Sequence, residues 1–295
     1  MLTNTIVRFT RTPLRQARLL FRSHSTEAGS AAEVVLTRHT GDDTGILTLT
    51  LNRSRAKNAI SRKLLAELRQ ALGQIRGDTD ARVVVLRSAV AGVFCAGADL
   101  KERATMDAAE VRQFLEGLKA ALVELEGLPQ PTVAALDGAA LGGGLELALC
   151  CDLRVAGRRA VVGLPETSLG IIPGAGGTVR LARLVGAARA KALVFTARRL
   201  QGAQAQQWGV VDDVATGDAE EAAYERALEW AREILPNAPV AVRMAKRAID
   251  HAATAHPAAA LDIEQLCYAQ VLSTEDRLEG LRAFKEKRKP VYRGC

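Results

Sequence analysis

Three consecutive glycines, Gly142 to Gly144, run directly into Leu145, Leu147, Ala148, Leu149, Cys150 and Cys151, with one carboxylate, Glu146, inside the apolar stretch. Glycine weakens helices and strands, and a carboxylate is costly to bury in its ionised form. A helix that is apolar on every side is buried. Glu146 is therefore expected in the core with a raised pKa, tuned for proton transfer. The glycines let a ligand approach the backbone, and their N–H groups lie at the positive end of the helix. Donors aimed at one point stabilise a developing oxyanion. The two features share one explanation: an oxyanion site beside an acid/base. A second carboxylate, Glu166, follows Pro165 at the end of a short strand, twenty residues further on. Two carboxyls facing one cleft can divide acid and base roles. On spacing alone, a buried ion pair and a surface-loop glutamate stay open.

The rest of the chain reads as strand, strand, helix, repeated. Residues 33–39 and 45–53 predict two strands around a Gly-Asp-Asp turn. Residues 61–77 predict an amphipathic helix capped by Ser61, with Leu65, Leu68, Leu72 and Ile75 on one face. Strands are expected at 82–88, 131–138, 152–156 and 160–165, and helices over much of 107–126 and after the glycine-rich segment 170–177. From about residue 186 the pattern is mostly helical. The fold class is α/β, with helices outside short stacked strands. The 295 residues suit one large domain, or a domain with a helical extension. The expected divisions are 1–30, a leader; 31–225, the core; and 226–295, a helical region.

Charge is uneven. Residues 1–30 hold Arg8, Arg11, Arg15, Arg18 and Arg22 against Glu27 alone, a net +4 of the chain's +7. An Arg-, Ser- and Thr-rich opening with no acid before Glu27 reads as a mitochondrial transit peptide, the plainer alternative being a basic arm. Five scattered cysteines fit a reducing compartment better than a disulfide framework. The four histidines form no ligand pattern, so no metal is expected. No apolar run reaches the roughly 18 residues of a membrane span.

Four segments, FCAGADLKE, DGAALGGGLELALCCDLRVA, GLPETSLGIIPGAGGTVR and DRLEGLRAFKEKR, together resemble the crotonase (enoyl-CoA hydratase) superfamily. The resemblance runs from about residue 33 to the C-terminus, on the side of its AU-binding methylglutaconyl-CoA hydratase branch. It implies a spiral of strand-strand-helix units with a C-terminal helical trimerisation region, assembled as trimers or dimers of trimers. It implies hydration of the 2,3 double bond of an acyl-CoA, with short-chain and methylglutaconyl thioesters among the candidates. No cofactor is implied, since coenzyme A belongs to the substrate. By this resemblance Glu146 is the base on water and Glu166 the acid at C2. Ala98 and Gly143 supply the oxyanion N–H groups, and Gly174 lies near the water. Ala56, Lys57 and Ala59 would meet the nucleotide. Ala96, Gly97, Asp99 and Leu100 complete the substrate-binding motif, and Phe284 and Lys287 would reach a neighbouring subunit's CoA.

Two departures from the family pattern are Val179, where Gln is common, and the basic AGRRAVVG segment. Lys101, Arg103 and Arg112 are candidate cations for a carboxylated acyl tail. An isomerase sharing the same oxyanion site is one alternative. RNA is the other, through Arg62, Lys63, Arg69 and Arg76 on the basic helix, whose bland reading is a solvated flank.

Overall fold

The computed structural model describes residues 32–295. The leader expected at 1–30 lies outside the described residues. In chain order the elements are β1 (Val34–Arg38), β2 (Ile46–Leu51), α1 (Arg62–Arg76), β3 (Val83–Ser88), β4 (Val93–Cys95), α2 (Leu100–Arg103), α3 (Ala108–Glu126), β5 (Thr132–Leu136), β6 (Ala139–Leu141) and α4 (Gly143–Ala148). There follow β7 (Leu153–Ala156), β8 (Val161–Gly163), α5 (Gly177–Val185), α6 (Ala187–Phe195), β9 (Leu200–Gln201), α7 (Gly202–Gln207) and β10 (Asp213–Val214). Four helices close the chain: α8 (Ala222–Ile234), α9 (Pro239–Ala252), α10 (Pro257–Leu272) and α11 (Glu275–Glu286).

The strands form two sheets. One has the order β1-β2-β3-β5-β7-β10, the other β4-β6-β8-β9. Only the β1–β2 and β8–β9 pairs are antiparallel. Period-two alternation gives the large sheet two apolar faces. Leu47, Leu49, Val84, Leu86, Ala134 and Leu136 enter the main core with α1, α3 and the small sheet. Ile46, Val83, Val85, Val133 and Ala135 point the other way, onto Ala223, Ala227, Leu228 and Ala231 of α8. That helix runs across residue 225, the division expected from sequence, and packs as one piece on the core.

The expected amphipathic helix is α1. The Ser61 side chain accepts from Leu64 N at 3.1 Å, and Leu65, Leu68, Leu72 and Ile75 are buried. A neutral-donor N-cap of this kind contributes about 1 kcal/mol. The helix expected to run through Cys151 is shorter: α4 ends at Ala148, and Cys150 N and Cys151 N turn back to the carbonyls of Leu147 and Ala148. Among the described residues, no helix is long and apolar enough to cross a membrane.

Candidate active site

Three neighbouring strands of the small sheet run parallel, β4 to β6 to β8. Each delivers one group just past its C-terminal end. After β4 comes Ala98, after β6 comes Gly143, and after β8 comes Glu166 on a short 3-10 turn (Glu166–Leu169). Among the described residues, the backbone N–H groups of Ala98 and Gly143 donate to no acceptor. They lie side by side: a Cβ placed on Gly143 would stand 3.6 Å from Ala98 N, and one on Gly97 would stand 3.3 Å from Gly143 N. Ala98 is fixed by its flanks, where Ile60 N donates to Gly97 O at 2.7 Å and Asp99 N to Ile60 O at 3.2 Å. Gly143 opens α4, so its N–H is one of the orphan donors of a helix start. The pair forms a preorganised donor site of the kind that stabilises an oxyanion.

Both carboxylates are buried, Glu146 at 3% exposure and Glu166 at 8%. Their surroundings differ in a way that separates their chemistry. Glu146 Oε1 accepts from Ala175 N and Gly177 N, each at 2.8 Å. Burial raises its pKa, and those two N–H groups pull it back down. Glu166 Oε2 is buried with no hydrogen-bond partner among the described residues. Burial pushes Glu166 up to about 7, and the charge of Glu146 adds to the rise. A Cβ on Gly142 would meet Glu166 Oε1 at 3.1 Å, which places this carboxyl against the glycine run. Two titratable groups whose environments push them apart can take the two halves of an acid/base pair. Glu146, held by two N–H donors, suits the base, and the carboxyl near neutrality suits the acid.

The remaining sequence candidates fall into distinct places. Lys57, at φ 52, and Asn58, at φ 54, turn a loop that holds Ala56 and Ala59 beside the β4 exit. Ala96 N donates to Lys57 O at 3.1 Å, which ties that loop to the segment carrying Ala98. The Asp99 carboxylate is committed inside the protein. It pairs with Arg53 at 2.7 Å and caps α2 through Lys101 N and Glu102 N. Leu100 is 55% exposed. Gly174 lies against Leu115, whose Cδ2 would be 3.3 Å from a Cβ there. Arg103 stacks 5.5 Å from the Phe114 ring, while Lys101 and Arg112 are exposed. Phe284, 87% exposed, and Lys287 lie at the end of α11.

Sequence reasoning missed the groups that hold these parts still. Asn58 is fully buried. Its Oδ1 accepts from Arg53 N at 2.7 Å, and its Nδ2 donates to Ser88 Oγ at 2.7 Å and Phe94 O at 2.9 Å. Asn is among the few residues that visit the left-handed conformation it takes here, at φ 54, and that preference was the available signal. Ala175 and Gly177 were legible only as a glycine-rich turn, not as donors to Glu146.

The basic helix is largely neutralised. Arg62 pairs with Glu110 at 3.0 Å, Lys63 with Glu67 at 3.6 Å and Arg69 with Glu124 at 2.8 Å. Arg76 donates to the carbonyls of Glu124 and Gly127. The stripe that reads as basic in the sequence is stitched to α3, whose carboxylates the α1 sequence alone does not reveal.

The enoyl-CoA hydratase/isomerase family model matches residues 41–294. The chain belongs to this family. As a member of the enoyl-CoA hydratase family it is an enzyme of that type, with the crotonase fold. It is 52% identical over 273 residues to the mouse mitochondrial enoyl-CoA hydratase domain-containing protein 2, with 92% of each chain covered. It is 48% identical over 274 residues to the rat mitochondrial methylglutaconyl-CoA hydratase, covering 92% of this chain and 87% of that one. Among solved structures, the enoyl-CoA hydratase of Bacillus anthracis superposes with a TM-score of 0.85 at 44% identity, covering 89% of this chain and all of that one. The family's α/β core and C-terminal helices are therefore present in full among the described residues.

Proposed function

We propose that this chain adds water across the 2,3 double bond of a short-chain acyl-CoA thioester, in mitochondria, without a cofactor. The observation that carries the reading is the split between the two buried carboxyls beside two unengaged N–H groups. Ala98 N–H and Gly143 N–H receive the thioester oxygen. Glu146 takes a proton from water through Oε2, the oxygen free of backbone donors, as the water oxygen bonds to C3. The electron pair of the double bond moves to the thioester oxygen, where the two donors stabilise it. Glu166 then gives its proton to C2 as the carbonyl re-forms. Proton exchange with solvent restores both groups. Hydration abolishes the conjugated enoyl-thioester absorbance, so a panel of straight, branched and carboxylated enoyl-CoAs compared by kcat/KM tests the reaction and its acyl preference together. A double-bond shift with no loss to the hydroxyacyl product would make it an isomerase.

The mitochondrial part rests on the Arg-rich residues 1–30 and on relatives whose names include mitochondrial. Replacing Arg8, Arg11, Arg15, Arg18 and Arg22 with Glu should leave the protein cytosolic by fractionation. Undiminished import of that variant would overturn this part.

Assembly as a trimer or dimer of trimers is supported by the apolar side chains that α9 to α11 leave uncovered. Ile249, Leu261, Leu266, Tyr268, Leu281 and Phe284 are all more than half exposed. A concentration of exposed large apolar side chains on the closing helices is what an association site requires. Phe284 and Lys287 are then placed to complete a neighbour's CoA site. Truncation before Thr274 should weaken both assembly and CoA affinity. A fully active monomer in sedimentation would contradict it.

A further inference from the structure

We propose that Arg180, anchored by Glu126, is a positioning residue for the base, holding the 175–177 turn so that its two N–H groups stay on Glu146 Oε1 and leave Oε2 free for the water. This deepens the hydratase reading above and rests on it for the kinetic arm of its test.

The geometry is a chain of contacts with a single route. Glu126 is the last residue of α3 and grips the guanidinium with both oxygens, Oε1 from Nε at 3.2 Å and Oε2 from Nη2 at 2.7 Å. The remaining arm, Nη1, donates to Ala175 O at 3.0 Å. The same residue, Ala175, donates its N–H to Glu146 Oε1 at 2.8 Å. The turn is thus held on both sides, by a carboxylate on its N–H side and a guanidinium on its carbonyl side. Gly176, between the two N–H donors, has φ +105, and a Cβ there would fall 2.2 Å from Nη1. The turn is bare because the arginine lies flat against it. The Arg180 side chain is 13% exposed, although its partner Glu126 is 49% exposed. A planar guanidinium holds a carboxylate with two parallel donors while a third reaches Ala175 O, a rigid fork that a point-like lysine ammonium does not reproduce.

Charge adds to position. Two charges act on Glu146, Arg180 from α5 and Lys119 from α3, while Glu146 in turn raises Glu166, on the turn after β8, and the Cys150 thiol at the end of its own segment. Arg180 and Lys119 hold the Glu146 pKa down against burial, and of these two charges Arg180 contributes more. Removing it should move the Glu146 titration to higher pH. Among the described residues no other side chain donates a hydrogen bond to Ala175 O.

The test compares Arg180→Gln, Arg180→Lys and Glu126→Gln in the full-length enzyme, each confirmed as folded by its melting curve. Arg180→Gln should lower kcat by about 30-fold or more, with KM within about 3-fold, because CoA is held elsewhere. Its acidic limb of kcat/KM should move up by about one pH unit. Arg180→Lys should lose much of kcat while keeping that limb near wild type, since it retains the charge and loses the fork. Glu126→Gln should give a smaller loss of kcat in the same direction. A second arm does not depend on turnover: the Glu146 carboxyl, followed by carbon-13 NMR, should titrate higher in Arg180→Gln than in wild type. If wild type hydrates but Arg180→Gln keeps both kcat and the acidic limb, the positioning role is overturned. If wild type hydrates no enoyl-CoA, the hydratase reading falls, and an unmoved Glu146 titration would separately sink the positioning role.

Discussion

Glutamine at either buried carboxyl should nearly abolish hydration. Glu146→Gln and Glu166→Gln keep size and most hydrogen bonding, yet neither can pass a proton. Each is expected to lower kcat on a short-chain enoyl-CoA by at least about 100-fold, the low end for acid–base catalysis. CoA affinity, read by calorimetry, should change little. The double variant should be far less than multiplicatively worse, because the two groups act as a unit. Near wild-type kcat in either folded single variant would exclude the two-glutamate mechanism. Glu166→Gln has a second expected signature. Its folded pKa, about 7, lies above the ordinary 4.5. Between those values the folded chain holds a proton that the unfolded chain has lost, so wild-type stability falls as pH rises through that window. Glutamine has no charge to bury. The variant should therefore melt higher than wild type at pH 8, by up to roughly 3 kcal/mol at ~1.4 kcal/mol per unit. The gain should shrink towards zero near pH 5. An equal gain at both pH values would mean that the burial of charge at Glu166 is not what the substitution relieves.

The second large effect is expected at Gly144→Ala. A Cβ at this position would stand 2.1 Å from Cys95 O and 2.8 Å from Cys95 C, both backbone atoms that cannot swing aside. Either α4 or the end of β4 must move. Both carry the site, since α4 begins with Gly143 and β4 leads to Ala98. We expect a loss of about 3 kcal/mol or more in stability, in the range of core overpacking and backbone strain. We also expect a fall in kcat of about 100-fold or more in whatever folds, the cost of losing one oxyanion donor. A variant that melts and turns over as wild type would show that the close packing of α4 on β4 is unimportant. Neighbouring Gly143 offers a contrast. A Cβ there would meet nothing closer than Ile60 Cδ1 at 3.4 Å, so the requirement at 144 is packing.

Much of this site was readable in the sequence because its chemistry is written in contrasts. A carboxylate among Leu, Ala and Cys stands out, and so does a glycine triplet before a helix. β1, β2, β3, β5 and β7 of the large sheet, with α1, α3 and α8 to α11, follow from patterns four residues long or more, whereas the two-residue β10 was not expected. In the small sheet β8 was expected at 160–165, but β4 and β6 did not announce themselves. Val93–Cys95 and Ala139–Leu141 are three residues long and lie among small residues, too short for alternation to show. Yet they lead to Ala98 and Gly143, the two proposed oxyanion donors. The partners of the basic helix were hidden for a related reason. Charge on α1 is visible locally, but its partners Glu110 and Glu124 lie on α3, and that pairing exists only once the helices pack. Arg180 was hidden the same way, since its value lies in touching Ala175 and Glu126 together.

The three adjacent parallel strand ends impose a division of labour on heredity. In the proposed mechanism carbonyl activation is carried by main-chain N–H groups after β4 and β6, which every amino acid except proline possesses. Proton handling in that mechanism is carried by side chains at 146 and 166, which a single codon change can remove. Substitution can therefore strip or redirect the proton chemistry of this scaffold while the thioester grip survives untouched. The reactions most accessible to its descendants are those that begin from a stabilised thioester enolate and differ only in where the proton goes.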